Sequence, residues 1–395
     1  MDGLFATRMH NTQKSFIREI LKVTLNPDVI SFAGGLPNPR FFPVREINEA
    51  ANKVLAESGE NSLQYSTTEG YLPLREFIAR RYQKRGLQVD ADEIMITNGS
   101  QQGLDLAGKV FLNKHDPMVL ERPGYLGAIQ AFSMFEPQFH SVPLLEDGPD
   151  LAYLETELKK TSAKLMYIVP NFQNPSGITH SLAIRKELAV ITDRYNTVVV
   201  EDDPYGELRF MGQELPPIKR FRKGVHILLG SFSKIVAPGM RLGWICTSSD
   251  IMEKLIIAKQ AADLHSNFFS QRVVHQYLCD NEIDDYIAKI RAGYRNQRDC
   301  MVAMIEKYLP EEITSTKPEG GMFIWATLPP GMSSLELFDQ AAAQNVAFVP
   351  GTPFYIDGGG SSTLRLNYSN SDEEKIEEGM KRLGSCARKL MAHGN

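Results

Sequence analysis

The chain has 395 residues, of which 43% are hydrophobic and 23% charged, and its formal net charge is −5. This composition is typical of soluble globular proteins and excludes a fibrous or disordered chain, while the length exceeds what one core usually supports, so we expect two packed units. Lysine and arginine are scattered along the sequence, which argues against nucleic acid as a partner and favours a small-molecule substrate.

The N-terminal residues and the cysteines bound the cellular setting. Met1 to Arg8 contain no basic region followed by an apolar one, and no later stretch reaches about 18 uninterrupted apolar residues. We therefore expect a cytoplasmic protein without a membrane partner. The four cysteines show neither C-x-x-C spacing nor paired histidines nearby, so no zinc or other metal site and no disulfide framework is predicted.

The N-terminal segment, residues 1–50, contains a helical apolar stripe formed by Phe16, Ile17, Ile20 and Leu21. Such a stripe needs a partner surface. We expect this segment to join the smaller of the two units.

Residues 51–284 alternate short apolar runs with stretches of helical period, such as Ser181 to Tyr195. This alternation predicts an α/β unit with a mostly parallel sheet between helices, in which ligands bind at the carboxyl ends of the strands. The predicted strands are Ile94 to Thr97, Val119-Leu120, Lys164 to Val169, Val198 to Val200, His226 to Leu229 and Arg241 to Cys246.

Residues 285–395 change to long amphipathic helices followed by short strands, which predicts a smaller α+β unit. The strands are expected at Met322 to Thr327, Ala347 to Val349 and Thr363 to Tyr368. A last helix is expected from Ser371 to about Leu390.

Two predicted strand ends carry features that suit a phosphate and a planar ring. After Thr97, Ser100 and Gln101 open a helix whose backbone N–H groups form an anion site, although simple capping by Ser100 explains the same residues. Tyr125 follows the strand that ends at Glu121. It could stack on a ring or could serve packing alone.

The next two strand ends carry an amide, a carboxylate and a phenol. Asn174 follows the strand that ends at Val169 and can donate to a ring oxygen. Asp202 can pair with a protonated ring nitrogen, and Tyr205 can hydrogen-bond an oxygen of the same ring. Each sequence is also a good turn, so neither is decisive alone.

The fifth strand end, Gly230 to Lys234, carries a lysine after two serines. Burial near other cations lowers the pKa of a lysine and frees its amine to attack an aldehyde. Ser231, Ser233 and Arg241 can hold a phosphate dianion by charge-assisted hydrogen bonds. A surface lysine beside serines is ordinary, but five such elements at five strand ends are hard to attribute to chance.

With these motifs the sequence resembles the fold-type I aminotransferases that depend on pyridoxal 5′-phosphate (PLP), most closely those specific for 2-aminoadipate and kynurenine. The resemblance covers nearly the whole chain. It is carried by the segments Ile30 to Pro37, Leu63 to Ser66, Asn98 to Gln102, Gly230 to Lys234 and Lys259 to His265.

The resemblance implies a seven-stranded sheet, PLP as cofactor and a role for each matching residue. Lys234 is the catalytic lysine that binds the aldehyde as a Schiff base and moves the proton. Tyr65 is expected to reach the phosphate of a neighbouring subunit, which requires a homodimer with shared active sites. The other expected cofactor contacts are Ser100, Gln101, Tyr125, Asn174, Asp202, Tyr205, Ser231, Ser233 and Arg241.

For the substrates, an L-amino acid and a 2-oxo acid, the resemblance implies contacts from Gly35, Arg365 and Arg18. Arg365 matches the arginine that binds the α-carboxylate by a two-pronged pair, whereas the alternative is a surface charge on a strand. Arg18 matches an arginine that contacts the distal carboxylate of acidic substrates. The alternative is an exposed helical arginine paired with a glutamate.

The expected reaction is ping-pong transamination, for example between glutamate and 2-oxoglutarate. Two other functions are possible alternatives. One is a PLP-dependent C–S lyase or another fold-type I enzyme on the same scaffold. The other is the effector domain of a transcription regulator, against which we count the short stretch of about 30 residues before Gly34-Gly35, too few for a DNA-binding domain.

Overall fold

The computed structural model describes residues 4–11 and 26–393. The stripe from Phe16 to Leu21 and the candidate residue Arg18 lie outside these residues. Within the two described ranges, no helix is both long enough and apolar enough to span a membrane.

In the described part of the chain, the strands form one large sheet, one smaller sheet and one isolated pair. The large sheet has the order β2-β9-β8-β7-β6-β3-β4-β5, and the smaller one β10-β11-β14-β13. The strands are β1 (Ile30–Ser31), β2 (Ile94–Thr97), β3 (Pro117–Arg122), β4 (Gln138–Leu145), β5 (Gly148–Pro149), β6 (Leu165–Ile168), β7 (Val198–Asp202), β8 (His226–Ser231), β9 (Gly243–Cys246), β10 (Thr314–Ser315), β11 (Phe323–Thr327), β12 (Val346–Ala347), β13 (Val349–Pro350) and β14 (Thr363–Asn367).

The large sheet is mostly parallel, as predicted. Strands β8, β7, β6, β3 and β4 pair in parallel, and β2 runs in the same direction because two antiparallel pairings through β9 separate it from β8. The sheet has eight strands rather than the expected seven, because the two-residue β5 folds back antiparallel on the end of β4. Strand β4 has no counterpart among the strands predicted from the apolar runs.

Helices separate most of the parallel strands, which is the connection that parallel pairing requires. The predicted helix from Ser181 to Tyr195 is observed as Leu182–Arg194, because the Ser181 hydroxyl accepts the Ile184 N–H and ends the preceding extended chain. The helices are α1 (Thr7–Asn11), α2 (Val44–Ser62), α3 (Leu72–Lys84), α4 (Ser100–Phe111), α5 (Leu126–Ser133), α6 (Leu151–Thr161), α7 (Leu182–Arg194), α8 (Ser249–Asp263), α9 (Phe268–Asp280), α10 (Ile283–Tyr308), α11 (Ser334–Ala342) and α12 (Glu373–His393).

The smaller unit packs α10, α11 and α12 with the antiparallel sheet. Its predicted strand from Ala347 to Val349 is split: β12 pairs with β1, and β13 pairs with β14. Phe348 stands between the two strands and is fully buried. The chain therefore changes partners in the middle of one apolar run.

The N-terminal segment reaches the smaller unit through β1, which pairs in parallel with β12. The Phe32 side chain is fully buried, and its carbonyl accepts the backbone N–H of Asn367. One hydrophobic cluster continues from the large sheet into the smaller sheet. Gly35, four residues after β1, is thereby held at the boundary between the two sheets.

Candidate active site

A cavity of about 430 Å³ opens at the edge of the large sheet where five parallel strands end. Strands β2, β3, β6, β7 and β8 each deliver a polar residue to this edge. Among the side chains described around it, three are basic (Lys234, Arg241 and Arg365) and one is acidic (Asp202). This excess of basic groups suits a ligand that carries anionic groups.

One end of the cavity is formed by the start of α4. The helix begins at Ser100, so the backbone N–H groups of Ser100 and Gln101 lack partners one turn earlier in the helix. Gly99 has φ +75°, which favours glycine, and a Cβ there would come within 3.0 Å of Arg241 Nη2. Arg241 donates to the Asn98 carbonyl at 3.3 Å, which places its guanidinium beside the helix start. The helix start and Arg241 together form an anion site.

The end of β8 provides the two serines and the lysine. The Ser231 hydroxyl is buried and accepts the backbone N–H of Ser233 at 3.1 Å, which turns the chain into the cavity. The Lys234 Nζ donates to the Gly35 carbonyl at 2.9 Å. Burial, with smaller contributions from Arg365 and Arg241, lowers the pKa of Lys234 to about 8. The lowered pKa increases the share of this lysine that is uncharged and nucleophilic near neutral pH.

Asp202, the last residue of β7, is 2% exposed. Its Oδ2 accepts the Tyr167 hydroxyl at 3.0 Å, whereas its Oδ1 has no hydrogen-bond partner in the described part of the chain. Burial raises the pKa of this carboxyl to about 7, the Tyr167 hydrogen bond opposes that rise, and Asp203 adds to it. A buried oxygen without a partner, at the wall of a cavity, is suited to a cationic N–H of a ligand.

Asn174 links Tyr205 and Arg365 across the cavity. Its amide nitrogen lies 3.5 Å from the Tyr205 hydroxyl, and its oxygen accepts Arg365 Nη1 at 2.7 Å. Arg365 is 2% exposed, donates through Nη2 to the Ala33 carbonyl at 2.6 Å and lies 4.4 Å from the centre of the Phe323 ring. Burial lowers the pKa of Arg365 to about 10, so it stays cationic at neutral pH.

The guanidinium of Arg365 keeps donors for a ligand. Its two observed hydrogen bonds use one hydrogen on each Nη, so one hydrogen remains on each of them in addition to Nε–H. The Nε atom is buried and has no partner within residues 4–11 and 26–393. Arg365 is thus a buried cation with three donors to spare, not a surface charge on a strand.

Tyr125 closes the cavity from the side of β3. It directly precedes α5, and a Cβ on Gly127 would lie 2.6 Å from its ring, so the ring lies over the helix start. Burial, together with the Asp202 carboxylate, raises the pKa of Tyr125 to about 12. Its ring is therefore neutral at physiological pH and offers a flat face to the cavity.

Comparison with known proteins identifies the family. The family described as aminotransferase class I and II matches residues 27–383. The chain belongs to this family. It is 46% identical over 385 residues to the 2-aminoadipate transaminase of Thermus thermophilus, covering 96% of this chain and 95% of that protein. It is 43% identical over 394 residues to aromatic-amino-acid aminotransferase 1 of Thermococcus litoralis, covering 98% and 94%.

Among solved structures, the α-aminoadipate aminotransferase LysN of Thermus thermophilus, complexed with N-(5′-phosphopyridoxyl)-L-leucine, superposes with a TM-score of 0.92 at 44% identity and 99% coverage of both chains. The predicted family, the fold-type I architecture and the assignment to PLP-dependent transaminases are confirmed. None of these relatives favours the lyase alternative.

The residues of this aminotransferase also fit the cofactor by their own geometry. The free Asp202 Oδ1 suits a protonated ring nitrogen, and the helix start with Arg241 suits a phosphate. Lys234 supplies an amine whose lowered pKa suits attack on an aldehyde. The volume of about 430 Å³ lies in the range of small-molecule sites.

The structure brings together in one cavity all the predicted site residues except two. Tyr65 is 79% exposed and lies away from this chain's cavity, with its ring 5.8 Å from that of His265. Arg18 lies outside the described residues, so its predicted contact is untested.

Two features of the site were not predicted from the sequence. One is Tyr167, which lines the cavity and binds Asp202. A tyrosine in a wholly apolar strand is the signal that could have found it, because a buried phenol usually needs a partner.

The second unpredicted feature is a buried polar cluster behind the phosphate end, which we call the Lys259 cluster. Lys259 Nζ donates to Gln102 at 2.9 Å, to Asp263 at 2.9 Å and to Ser266 at 3.1 Å. Asp263 also accepts the amides of Asn98 and Gln102, at 2.6 and 2.7 Å. The cluster fixes both sides of Gly99 and so supports the start of α4.

Proposed function

We propose that this aminotransferase moves the amino group of an L-amino acid to a 2-oxo acid by a ping-pong mechanism, with glutamate and 2-oxoglutarate as the preferred pair. The observation that carries the proposal is the meeting of Lys234, Asp202 and Arg365 in one buried cavity. The relatives named for 2-aminoadipate and for aromatic amino acids support 2-aminoadipate and aromatic substrates, and the leucine derivative bound to LysN supports branched-chain ones.

When bound, pyridoxal phosphate supplies an aldehyde and a ring that accepts electrons. Lys234 would hold the aldehyde carbon in the resting enzyme. Its amine, when free, would act as the base that carries the proton of the substrate α-carbon. The lowered pKa of about 8 lets this amine act as a base near neutral pH.

Asp202 would hold the proton on the ring nitrogen through its free Oδ1, and Asn174 and Tyr205 would bind the ring hydroxyl. Tyr125 would stack on the ring. The phosphate would be held by Ser100, Gln101 and Arg241 at the helix start and by Ser231 and Ser233 at the end of β8.

Arg365 binds the substrate α-carboxylate with its spare donors, and Gly35 approaches the substrate from the N-terminal segment. This pair orients the α-hydrogen toward Lys234. Because Arg365 is already fixed by Asn174 and Ala33, little side-chain freedom is lost when the substrate binds.

Half-reaction spectra test this proposal. The purified protein loaded with PLP, mixed with one amino acid and no 2-oxo acid, should lose the absorbance of the lysine-bound aldehyde once, in stoichiometric amount. Addition of 2-oxoglutarate should restore it. Continuous release of ammonia and pyruvate without any 2-oxo acid would instead reveal a lyase and contradict the proposal.

We further propose that Arg18 contacts the distal carboxylate of acidic substrates. Arg18→Ala should then lower kcat/KM for glutamate and 2-aminoadipate while leaving leucine nearly unchanged. Equal losses on acidic substrates and on leucine would contradict the contact.

We propose that the enzyme is a homodimer whose Tyr65 serves the partner's phosphate. The exposure of Tyr65, the neighbouring exposed Leu63 and Leu264, and the distance of Tyr65 from its own cavity support this arrangement.

Mixed dimers test the shared site. Lys234→Ala and Tyr65→Ala proteins, each inactive or weak alone, should regain activity when their subunits are exchanged. One of the two sites then holds an intact Lys234 from one chain and an intact Tyr65 from the other. If Tyr65 served its own subunit, no mixed site would be intact and no activity would return.

For the domain boundaries, we propose a cofactor-binding unit of residues 51–284, a smaller unit of residues 285–395 and an N-terminal segment, residues 1–50, that joins the smaller unit. The pairing of β1 with β12 supports the last assignment. A cytoplasmic location and the absence of nucleic-acid and membrane partners stay predictions of the sequence.

A further inference from the structure

Tyr167 occupies a position on β6 from which it can reach the end of β7. In the parallel register Tyr167 pairs with Val200, and Asp202 lies two residues further along β7. Because side chains alternate between the faces of a strand, Asp202 and Val200 point to the same face as Tyr167. A long side chain spans such a diagonal, and the Tyr167 hydroxyl donates to Asp202 Oδ2 at 3.0 Å.

The contact is buried and its geometry is fixed. Tyr167 is 1% exposed, and the Phe132 ring packs edge-on against it with 5.9 Å between ring centres. Asp202 is 2% exposed. The phenol therefore has little freedom to turn away from the carboxylate.

The two oxygens of Asp202 consequently have different tasks. Tyr167 occupies Oδ2, and Oδ1 stands without a partner in the described part of the chain, at the cavity wall. We propose that Tyr167 is a positioning residue. It fixes the ionised Asp202 carboxylate so that Oδ1 alone is presented to the ring nitrogen. This inference rests on the proposed function, and it adds a residue that acts on the cofactor only through Asp202.

The electrostatics of the pair agree with this role. Burial and the neighbouring Asp203 both raise the pKa of Asp202, and the hydrogen bond from Tyr167 opposes them. Burial also raises the pKa of Tyr167 far above its ordinary value, so the phenol stays a donor at all physiological pH values. Without the phenol, a larger share of Asp202 would be protonated and unable to hold a proton on the ring.

The test uses Tyr167→Phe in the PLP-loaded enzyme. The loss of one hydrogen bond to a charged group should lower kcat by about 10-fold to 100-fold with KM changed less than about twofold. The ¹⁵N chemical shift of the ring nitrogen in ¹⁵N-labelled PLP should move toward that of a neutral pyridine. Unchanged kcat together with an unchanged ¹⁵N shift would overturn the proposal.

Tyr368→Phe is the matched control. Tyr368 is also fully buried and donates to a single acceptor, the Gly320 carbonyl at 2.8 Å, but it lies in the smaller unit. This variant should keep kcat and the ¹⁵N shift of wild type even where its thermal stability falls. An equal loss of kcat in both variants would mean that general destabilisation explains the effect, and would also overturn the proposal.

A double-mutant cycle asks whether Tyr167 acts through Asp202. In an Asp202→Asn background, Tyr167→Phe should reduce the half-reaction rate by less than about twofold, because the carboxylate that Tyr167 fixes is gone. Multiplicative effects would contradict the proposed route. If wild type showed no half-reaction with any amino acid, the proposed function would fail, and the ¹⁵N comparison would still decide the role of Tyr167.

Discussion

Glu201 and Asp202 are consecutive carboxylates on β7, they are 0% and 2% exposed, and their pKa values shift in opposite directions. Glu201 lies 2.8 Å from His226 Nε2 and accepts the backbone N–H groups of Ile218 and Lys219 at 2.9 and 3.0 Å. These hydrogen bonds outweigh burial and lower its pKa. Among the described residues Asp202 accepts from one donor, Tyr167, and burial raises its pKa to about 7.

The opposite pKa shifts show that the two faces of β7 have different roles, one structural and one in ligand binding. On the Glu201 face, partners within the chain satisfy the buried charge, so that charge stabilises the fold. On the Asp202 face, a charge is left incomplete where a ligand binds, so it costs stability until the ligand arrives. A substitution should therefore reduce either stability or activity, according to which kind of group it removes.

The largest expected effect is on turnover, at a residue of the cavity whose partner is the ligand. Lys234→Ala should reduce turnover by at least about 10⁴-fold, because both the covalent link and the proton carrier are lost. Its free energy of unfolding should fall by no more than about 1 kcal/mol, because the hydrogen bond to the Gly35 carbonyl is lost while a buried cation with a lowered pKa is removed.

Steady-state kinetics and urea denaturation of the cofactor-free proteins measure the two quantities for Lys234→Ala. Lys109→Ala, an exposed lysine on α4 paired with Asp105, is the control and should leave both unchanged. Retained turnover in Lys234→Ala would refute the site.

The next effect concerns another buried charge whose partners lie within the chain, Lys259. Lys259→Met should lower the free energy of unfolding by about 3 kcal/mol, because Asp263 would lose its buried cation. The double variant Lys259→Met/Asp263→Asn should recover part of that loss, since no unpaired charge would remain. Thermal and urea denaturation check both values.

Lys254→Met on the same helix is exposed and should change the free energy of unfolding by less than about 0.5 kcal/mol. If Lys259→Met left stability at the wild-type value, the Lys259 cluster would not be a structural one.

Asp202→Asn is expected to stabilise the cofactor-free protein. The folded-state pKa of Asp202 is about 7 against its ordinary value of 3.8, so between these pH values the folded chain holds a proton that the unfolded chain has released. Stability of wild type therefore falls as pH rises through this window, and the full penalty applies above pH 7.

The asparagine variant lacks this penalty. Its melting temperature should match that of wild type near about pH 4 and exceed it at about pH 8. At the higher pH its free energy of unfolding should exceed that of wild type by at most about 4 kcal/mol. Turnover should fall sharply in the same variant. A melting temperature below that of wild type under the alkaline condition would place Asp202 with the structural charges.

The sequence was sufficient to predict what depends on short stretches of chain. Lys234, Asn174 and Asp202 lie within five residues of the ends of apolar runs. Parallel strands bring such ends to one edge, so the cavity could be predicted without coordinates. The contact between Tyr167 and Asp202 joins residues 35 positions apart, and that between Lys259 and Gln102 joins residues 157 apart. Strand register and helix packing decide these contacts, and neither leaves a local pattern.

The same limit explains the differences in the fold. The apolar run around Phe348 predicts one strand, but the two halves pair with different strands, β1 and β14, which lie far away in sequence. Strand β4 mixes exposed and buried residues and includes a proline, so its strand character depends on pairing with β3.

The smallest expected effect is at Glu201, the carboxylate on the other face of β7. Glu201→Gln should lower the free energy of unfolding at neutral pH by about 1–3 kcal/mol, because an amide cannot accept from His226, Ile218 and Lys219 as a carboxylate does. Turnover per folded molecule should stay near that of wild type. Denaturation curves and active-site titration with PLP measure the two effects.

The pH dependence makes the Glu201 prediction sharper. The pKa of Glu201 is lowered in the folded state, so its contribution is present above the unfolded pKa of about 4.5 and is lost as pH falls through the folded value. The loss of unfolding free energy in Glu201→Gln should therefore shrink in acid. The gain of unfolding free energy in Asp202→Asn should shrink in acid as well, so the two variants differ in the sign of their effect and not in its pH dependence. If Glu201→Gln and Asp202→Asn changed the free energy of unfolding in the same direction at mildly alkaline pH, the distinction between the two faces of β7 would be wrong.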